Sequence, residues 1–275
     1  MDRIGDIIGS GKFSNVYEYK DGYALKLFHR NVDQTIALYE FEASNEIHAL
    51  GIPTPAVYDF IQVGAQKGIV FQRVTGITLI EYISRFPLKF KTCIEQSAHL
   101  LAKIHSIKAT GLESFKVQLA DRISKTRLLS TQDKNTIIEY LFSLEDGNDL
   151  CHGDFHIGNI MCTERGFHII DWGNVTYGPK VADLTLAITQ LEIASITNTI
   201  PSYLQFIIKV SSRFVINHFI EIYCSQYPSL ERENVLTQTH RWKLPIATSR
   251  LIYCNRIESC FLLNLIHKEI EKLRQ

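Results

Sequence analysis

Residues 151–173 read CHGDFHIGNIMCTERGFHIIDWG, and this stretch constrains the chain more than any other. It spaces three groups competent to bind protons or hard cations, Asp154, Asn159 and Asp171, along a strand-turn-strand pattern. Asp154 lies five residues before Asn159, and Asp171 follows twelve later, at the end of an apolar run over 167–170 that predicts a short strand. Phosphoryl transfer needs such a set: one carboxylate to receive a hydroxyl proton, and two oxygen ligands to hold Mg²⁺ on nucleotide phosphates. The competing reading is structural. Asp and Asn in turns often bond to neighbouring backbone amides, and a His-Gly-Asp triplet alone has little specificity.

The N-terminal quarter favours the chemical reading. Ile8-Gly9-Ser10-Gly11-Lys12-Phe13-Ser14-Asn15-Val16 lies between strand patterns over 3–8 and 16–19. Glycines there let backbone amides close over phosphates, although an ordinary hairpin turn uses them equally well. Ten residues after Val16, Lys26 interrupts the apolar strand pattern of 23–28. A charge in such a run is costly without a partner, so Lys26 expects an anion unless it lies on a solvent face.

A helix is predicted over 32–50, where Ile36, Tyr39, Ala43, Ile47 and Leu50 recur at spacings of three and four. Glu42 and Glu46 form the adjacent stripe, and either can swing toward Lys26; Glu42 is preferred, and simple solvation of both is the alternative. Gly51, Pro53 and Pro55 stop the helix. Strands over 56–63 and 68–74 then complete a five-stranded antiparallel sheet with one helix inserted after its third strand. Thr75-Gly76 breaks the pattern and reads as a hinge, giving lobes of 1–75 and 76–275.

The order of glycine turn, strand lysine, helix glutamate, hinge, HGDFHIGN and IIDWG resembles the aminoglycoside phosphotransferase family, the branch of the protein-kinase-like fold that includes choline, homoserine and fructosamine kinases. The resemblance runs from about residue 8 to residue 186. It implies an α+β, two-lobed fold with a mainly helical C-lobe, and a transferase moving the γ-phosphate of ATP or GTP, with Mg²⁺, to a hydroxyl of a small metabolite or antibiotic. By that resemblance Asp154 is the catalytic base and Asn159 and Asp171 are the Mg²⁺ ligands. Gly9, Ser10 and Gly11 cover the phosphates, with Ser14 standing where protein kinases carry a third glycine. Lys26 meets the α- and β-phosphates and Glu42, while the Gln72 carbonyl and the Val74 amide hold the purine. Trp242-Lys243-Leu244-Pro245-Ile246-Ala247 and the following Arg250-Leu251 look like a helix start found in some members of the family.

Asp183 follows Asp171 by twelve residues and begins the helical pattern Leu184, Ala187, Ile188, Leu191, which leaves no room for the activation segment of a peptide kinase. Asp183 either caps that helix or braces the catalytic turn. His152 is expected as a buried scaffold, His156 near the phosphates, and His105 as a packing residue. His152, His156, His168, Cys151 and Cys162 lack the spacing of a transition-metal site. Six cysteines without framework spacing, zero formal charge and no N-terminal signal pattern point to a cytoplasmic enzyme without a nucleic-acid partner. The apolar region 203–223 is broken by Lys209 and Arg213 and reads as a helix that does not span a membrane.

From Leu184 onward the chain has seven Glu, no Asp and ten Lys plus Arg. A polycationic acceptor wants carboxylates around it, so a neutral or weakly charged hydroxyl compound is expected instead. Tyr203, Phe206, Phe214, Phe219, Tyr223, Trp242, Tyr253 and Phe261 mostly form helix core, with one or two available to line an acceptor site. Two rivals share the fold: a silent nucleotide-binding regulator, which an intact set of Lys26, Asp154, Asn159 and Asp171 argues against, and a small atypical protein kinase. Sequence leaves the oligomeric state open.

Overall fold

A computed structural model describes residues 4–196 and 202–274, with the side chains of 202–211 outside the description. The predicted first strand's residue 3, and the Tyr203, Phe206 and Lys209 side chains, therefore lie outside the described residues. Contacts divide the chain into two compact units: Met1–Tyr82 with Gly158–Asn174, and Ile83–Ile157 with Val175–Gln275.

The first unit is built on a five-stranded antiparallel sheet of β1 (Ile4–Ser10), β2 (Ser14–Tyr19), β3 (Tyr23–Phe28), β4 (Val57–Val63) and β5 (Gln66–Gln72), in the order β1-β2-β3-β5-β4. Period-two alternation in β3 sends Leu25 and Leu27 into a cluster with Tyr19 and Val70. Phe28, two residues from Lys26, packs on the opposite side with Ala37, Ile69 and Phe41. Lys26 thus faces helix α1 (Gln34–Ala49), which is inserted after β3 as the sequence predicts.

Helix α1 is capped by Asp33, whose carboxylate accepts from the Thr35 amide at 2.9 Å, so it starts two residues later than expected. Its buried face is Ala37, Glu40, Ala43, Ser44 and Ile47, whereas Ile36 and Leu50 are 44% and 45% exposed. The expected apolar stripe was rotated because only apolar positions entered the period, and the true inner face contains a carboxylate. A second, three-stranded sheet in this unit joins β6 (Ile77–Thr78) to the hairpin of β8 (Ile160–Thr163) and β9 (Gly166–Ile169).

After α2 (Leu79–Arg85) the second unit is mainly helical: α3 (Phe90–His105), α4 (Phe115–Lys125), α5 (Thr131–Ser143), α6 (Lys180–Ala194), α7 (Ser202–Ser225), α8 (Arg232–Arg250) and α9 (Arg256–Leu273). Strands β7 (Asp149–Cys151) and β10 (Thr176–Gly178) pair antiparallel and place the segments before and after them side by side. The core draws Phe115, Leu119, Ile137, Leu186, Trp242, Ile246 and Leu262 from five of these helices. The segment expected as a helix start at Trp242 lies inside α8, with Pro245 in the helix interior. Proline lacks the N–H that would bond the carbonyl four residues back. That carbonyl, on Arg241, instead accepts from the Tyr140 hydroxyl at 3.2 Å, and tertiary context overrides the local stop signal. Among the described residues, no helix is long and apolar enough to cross a membrane.

Candidate functional site

In the first unit the structure gathers Lys26, Glu40 and Asp171. Lys26 Nζ donates to Glu40 Oε1 at 2.5 Å and to Asp171 Oδ1 at 2.8 Å. The helix partner of Lys26 is therefore Glu40, which corrects the expectation of Glu42; both Glu42 and Glu46 are exposed. The reason is geometric: Glu40 is one turn from Ala37 and Ala43 on the buried face of the helix, and Glu42 is two residues round the helix from it. The signal available in sequence was a Glu at i+3 from one alanine and i−3 from another.

Burial by itself would lower the Lys26 ammonium, but the Glu40 and Asp171 carboxylates together hold it well above its usual range. Burial raises the Glu40 carboxyl; Lys26 opposes that rise and the nearby Asp171 adds to it. Two acids facing one ammonium leave this cluster with an excess of negative charge on the side of Asp171, whose side chain is 44% exposed.

Several devices fix Asp171. Its backbone is left-handed, at φ 67°, a conformation that Asp tolerates better than most residues and that marks functional turns. The next residue, Trp172, is buried and donates Nε1–H to Thr54 Oγ1 at 3.0 Å, while the Ile169 amide bonds the Pro53 carbonyl at 2.7 Å. Gly173 follows: a Cβ there would come within 2.9 Å of Glu40 Oε2, so a larger residue pushes on the glutamate that Lys26 holds. Asn159 is buried, and its backbone carbonyl accepts from the Ile170 amide at 3.0 Å, which sets it next to the Asp171 segment. An amide and a carboxylate are hard oxygen donors of the kind Mg²⁺ takes, and the local negative excess suits a divalent cation.

The remaining nucleotide-site candidates of this unit are on the sheet or in the segments that join its strands. Gly9 pairs with Val16 and Ser10 with Asn15 across the β1–β2 hairpin, and the Gly11 amide closes the turn on the Ser14 carbonyl at 2.8 Å. Ser14 itself is buried and opens β2. Gln72 ends β5 with its amide on the Ala56 carbonyl at 2.8 Å, and Val74 lies two residues beyond, half-buried.

The second unit builds a braced turn that carries Asp154. Asp183, in the first turn of α6 and fully buried, accepts from the His152 amide at 2.7 Å through Oδ2 and from the Gly153 amide at 3.0 Å through Oδ1. His105 Nε2 is 3.1 Å from Asp183 Oδ2, and its Nδ1 is 2.7 Å from the Tyr223 hydroxyl. Of the two roles open to Asp183, the structure shows bracing: Pro179, not Asp183, occupies the N-cap of α6. Burial alone would raise the Asp183 carboxyl, but the hydrogen bond and charge of His105, with the charge and backbone amide of His152, hold it below the usual carboxylate range. His105 and Asp183 thus spend their polar atoms within the fold.

Gly153 is at φ 75°, which permits the turn that glycine alone adopts at no steric cost, and the Asp154 amide then donates to His152 Nδ1 at 3.3 Å. The Asp154 carboxylate is one-fifth exposed. Its Oδ1 accepts from Gln190 Nε2 at 2.9 Å and from Arg250 Nη1 at 3.2 Å, and its Oδ2 stands 3.9 Å from His156 Nε2. The contacts of Gln190 on α6 and Arg250 at the end of α8 with Asp154 were not anticipated, Arg250 being singled out in the sequence only with the Trp242 segment. No local pattern marks them, because they meet Asp154 only through helix packing across 36 and 96 residues of chain.

A family profile described as the phosphotransferase enzyme family matches residues 7–206. No curated protein matches the chain in sequence. Among solved structures, the chain is similar to a choline/ethanolamine kinase family protein from Mesorhizobium loti, with TM-score 0.64 and 14% identity over 97% of this chain and 87% of that one. It is also similar to choline kinase from Cryptosporidium parvum, with TM-score 0.61 and 13% identity over 99% and 89% of the two chains. The streptomycin–ATP ternary complex of APH(2")-IIa gives TM-score 0.59 and 16% identity over 98% and 92%. At these identities the likenesses establish the two-lobed, protein-kinase-like fold.

Proposed function

The chain belongs to the phosphotransferase enzyme family, and from that premise we propose that it transfers the γ-phosphate of ATP to a hydroxyl group of a small molecule. The observation that carries the reading is Lys26, a buried ammonium held between the buried Glu40 and the half-exposed Asp171. A strand lysine fixed in this way is suited to nucleotide phosphates, and the ATP in the APH(2")-IIa complex supports ATP as the donor. In this reading the glycine turn of Gly9, Ser10, Gly11 and Ser14 covers the phosphates, and Gln72 and Val74 hold the purine.

Asn159 and Asp171 are the residues that would hold Mg²⁺, which when bound neutralises charge on the phosphates. Asp154 accepts the proton of the acceptor hydroxyl as that oxygen bonds to the γ-phosphorus, and the bond from the γ-phosphorus to the bridging oxygen breaks to leave ADP. Asp183 is a positioning residue: by binding two successive amides it fixes the turn from which Asp154 projects.

A thermal-shift titration tests the nucleotide half. At a hundredfold excess of ATP over its dissociation constant, with Mg²⁺, the protein gains about 2.7 kcal/mol of stability. No nucleotide-dependent shift, with or without Mg²⁺, would sink the reading. Asp154→Asn tests the chemistry: turnover falls by roughly two to four orders of magnitude while the ATP shift stays, whereas Asp171→Asn weakens the Mg²⁺-dependent shift itself. A silent nucleotide-binding regulator predicts the shift without any turnover to lose.

A further inference from the structure

The groups around Asp154 carry a charge pattern that the family's cationic substrates do not ask for. Two arginines from distant helices meet over one ring: the Arg122 guanidinium, on α4, is 5.5 Å from the Tyr253 ring centroid, and that of Arg250 is 5.2 Å from it. Arg250 reaches Asp154 Oδ1 through Nη1 at 3.2 Å. Its Nε is buried and, among the described residues, has no hydrogen-bond partner. A guanidinium binds a carboxylate or phosphate through a fork of parallel N–H groups, and a buried donor without a partner in a functional cluster points to a group not yet in place. Arg122 is 5% exposed, is held by Gln118 Oε1, and feels the charges of Arg250 and of the Asp154 and Glu113 carboxylates. Holding two guanidiniums about one aromatic ring costs mutual repulsion, which a shared anion would relieve.

Three acids of the C-terminal region already have partners, with Glu192 Oε2 left buried and without a hydrogen-bond partner among the described residues. Of the glutamates in the C-terminal region, Glu192 pairs with Lys243 at 2.8 Å, Glu258 closes the N-terminal capping box of α9, and Glu269 pairs with Lys272 at 2.7 Å. Around Asp154 the structure therefore offers a carboxylate to take a proton and two arginines to hold a negative group.

Resting on the phosphotransferase reading, we propose that the acceptor is an anionic hydroxyl compound, whose carboxylate or phosphate binds Arg122 and Arg250 within a few bonds of the hydroxyl presented to Asp154. This moves the acceptor beyond the neutral or weakly charged compound that the charge count suggests. Tyr253 supports both guanidiniums by cation–π contact.

Binding of simple anions tests the proposal without knowledge of the acceptor. Malonate and inorganic phosphate, each titrated against the full-length chain without nucleotide, raise its melting temperature, and the stronger of the two identifies carboxylate or phosphate as the anchored group. Arg122→Gln and Arg250→Gln each weaken the apparent affinity of that probe at least tenfold, compared at equal distance from each variant's own melting temperature. Equal anion response in wild type and both variants overturns the proposal.

Turnover gives a second reading, with glycerol, glycerate and glycerol phosphate, then ribose, ribonate and ribose phosphate, and an aminoglycoside as cation. An anionic member is preferred in kcat/KM at least tenfold over its uncharged counterpart, and Arg122→Gln reduces that ratio at least tenfold. Preference for the uncharged or cationic member overturns the acceptor class while leaving phosphotransfer intact. Loss of the Mg²⁺-ATP shift overturns phosphotransfer itself, and the acceptor class with it.

Discussion

Glu40→Gln separates the pairing found in the structure from the one the sequence favours. The Lys26 and Glu40 side chains are 13% and 4% exposed, so this ion pair is screened little by solvent. Removing one partner of a fully buried pair costs about 3–5 kcal/mol when the other charge is left uncompensated. Here the loss is smaller, because Lys26 keeps Asp171 at 2.8 Å and a glutamine oxygen still accepts a hydrogen bond. Replacing a charge-assisted bond by a neutral one leaves a cost of about 2 kcal/mol, or roughly 4–8 °C in melting temperature for a chain of this size.

Glu42→Gln, on the exposed face, changes stability by less than about 0.5 kcal/mol. Lys26→Met is worse than Glu40→Gln, since it strands the buried carboxylate, and adding Glu40→Gln to Lys26→Met restores part of the loss. Urea denaturation of the four variants, with the double-mutant cycle, measures this directly. The reasoning fails if Glu42→Gln costs as much as Glu40→Gln, or if the two effects of the Lys26–Glu40 cycle simply add.

Two further outcomes follow from the same geometry. The Asp183 carboxyl is held below its unfolded value of about 3.9, so its contribution is present above that pH and is lost as pH falls through the lower, folded pKa; Asp183→Asn should flatten the acid limb of a stability-versus-pH curve below about pH 4, and an unchanged limb would contradict the bracing role. Gly173→Ala places a Cβ within 2.9 Å of Glu40 Oε2 and should cost about 1–3 kcal/mol in urea denaturation, with the penalty shrinking in a Glu40→Ala background; an equal penalty in both backgrounds would rule out that clash.

The sequence by itself determined the sheet and the candidate residues for chemistry. Short apolar runs bounded by turns marked five strands, and Gly51 with the prolines after it marked the stop of α1, because both are local signals. Asp154, Asn159 and Asp171 were legible for the same reason: their spacing lies within one short segment. What depended on helix rotation or on packing between distant segments was decided only by tertiary structure. Glu40 faces Lys26 because the inner stripe of α1 includes a carboxylate, which an apolar-only period passes over. Pro245 stays inside α8 because Tyr140, 101 residues from Arg241, takes the carbonyl that proline leaves open. Gln190, Arg122 and Arg250 gather near Asp154 or Tyr253 through the packing of α4, α6 and α8, and no neighbour in sequence announces them. The residues proposed as proton acceptor and cation ligands are written in one short motif, whereas the arginines proposed to select the acceptor are assembled across the fold.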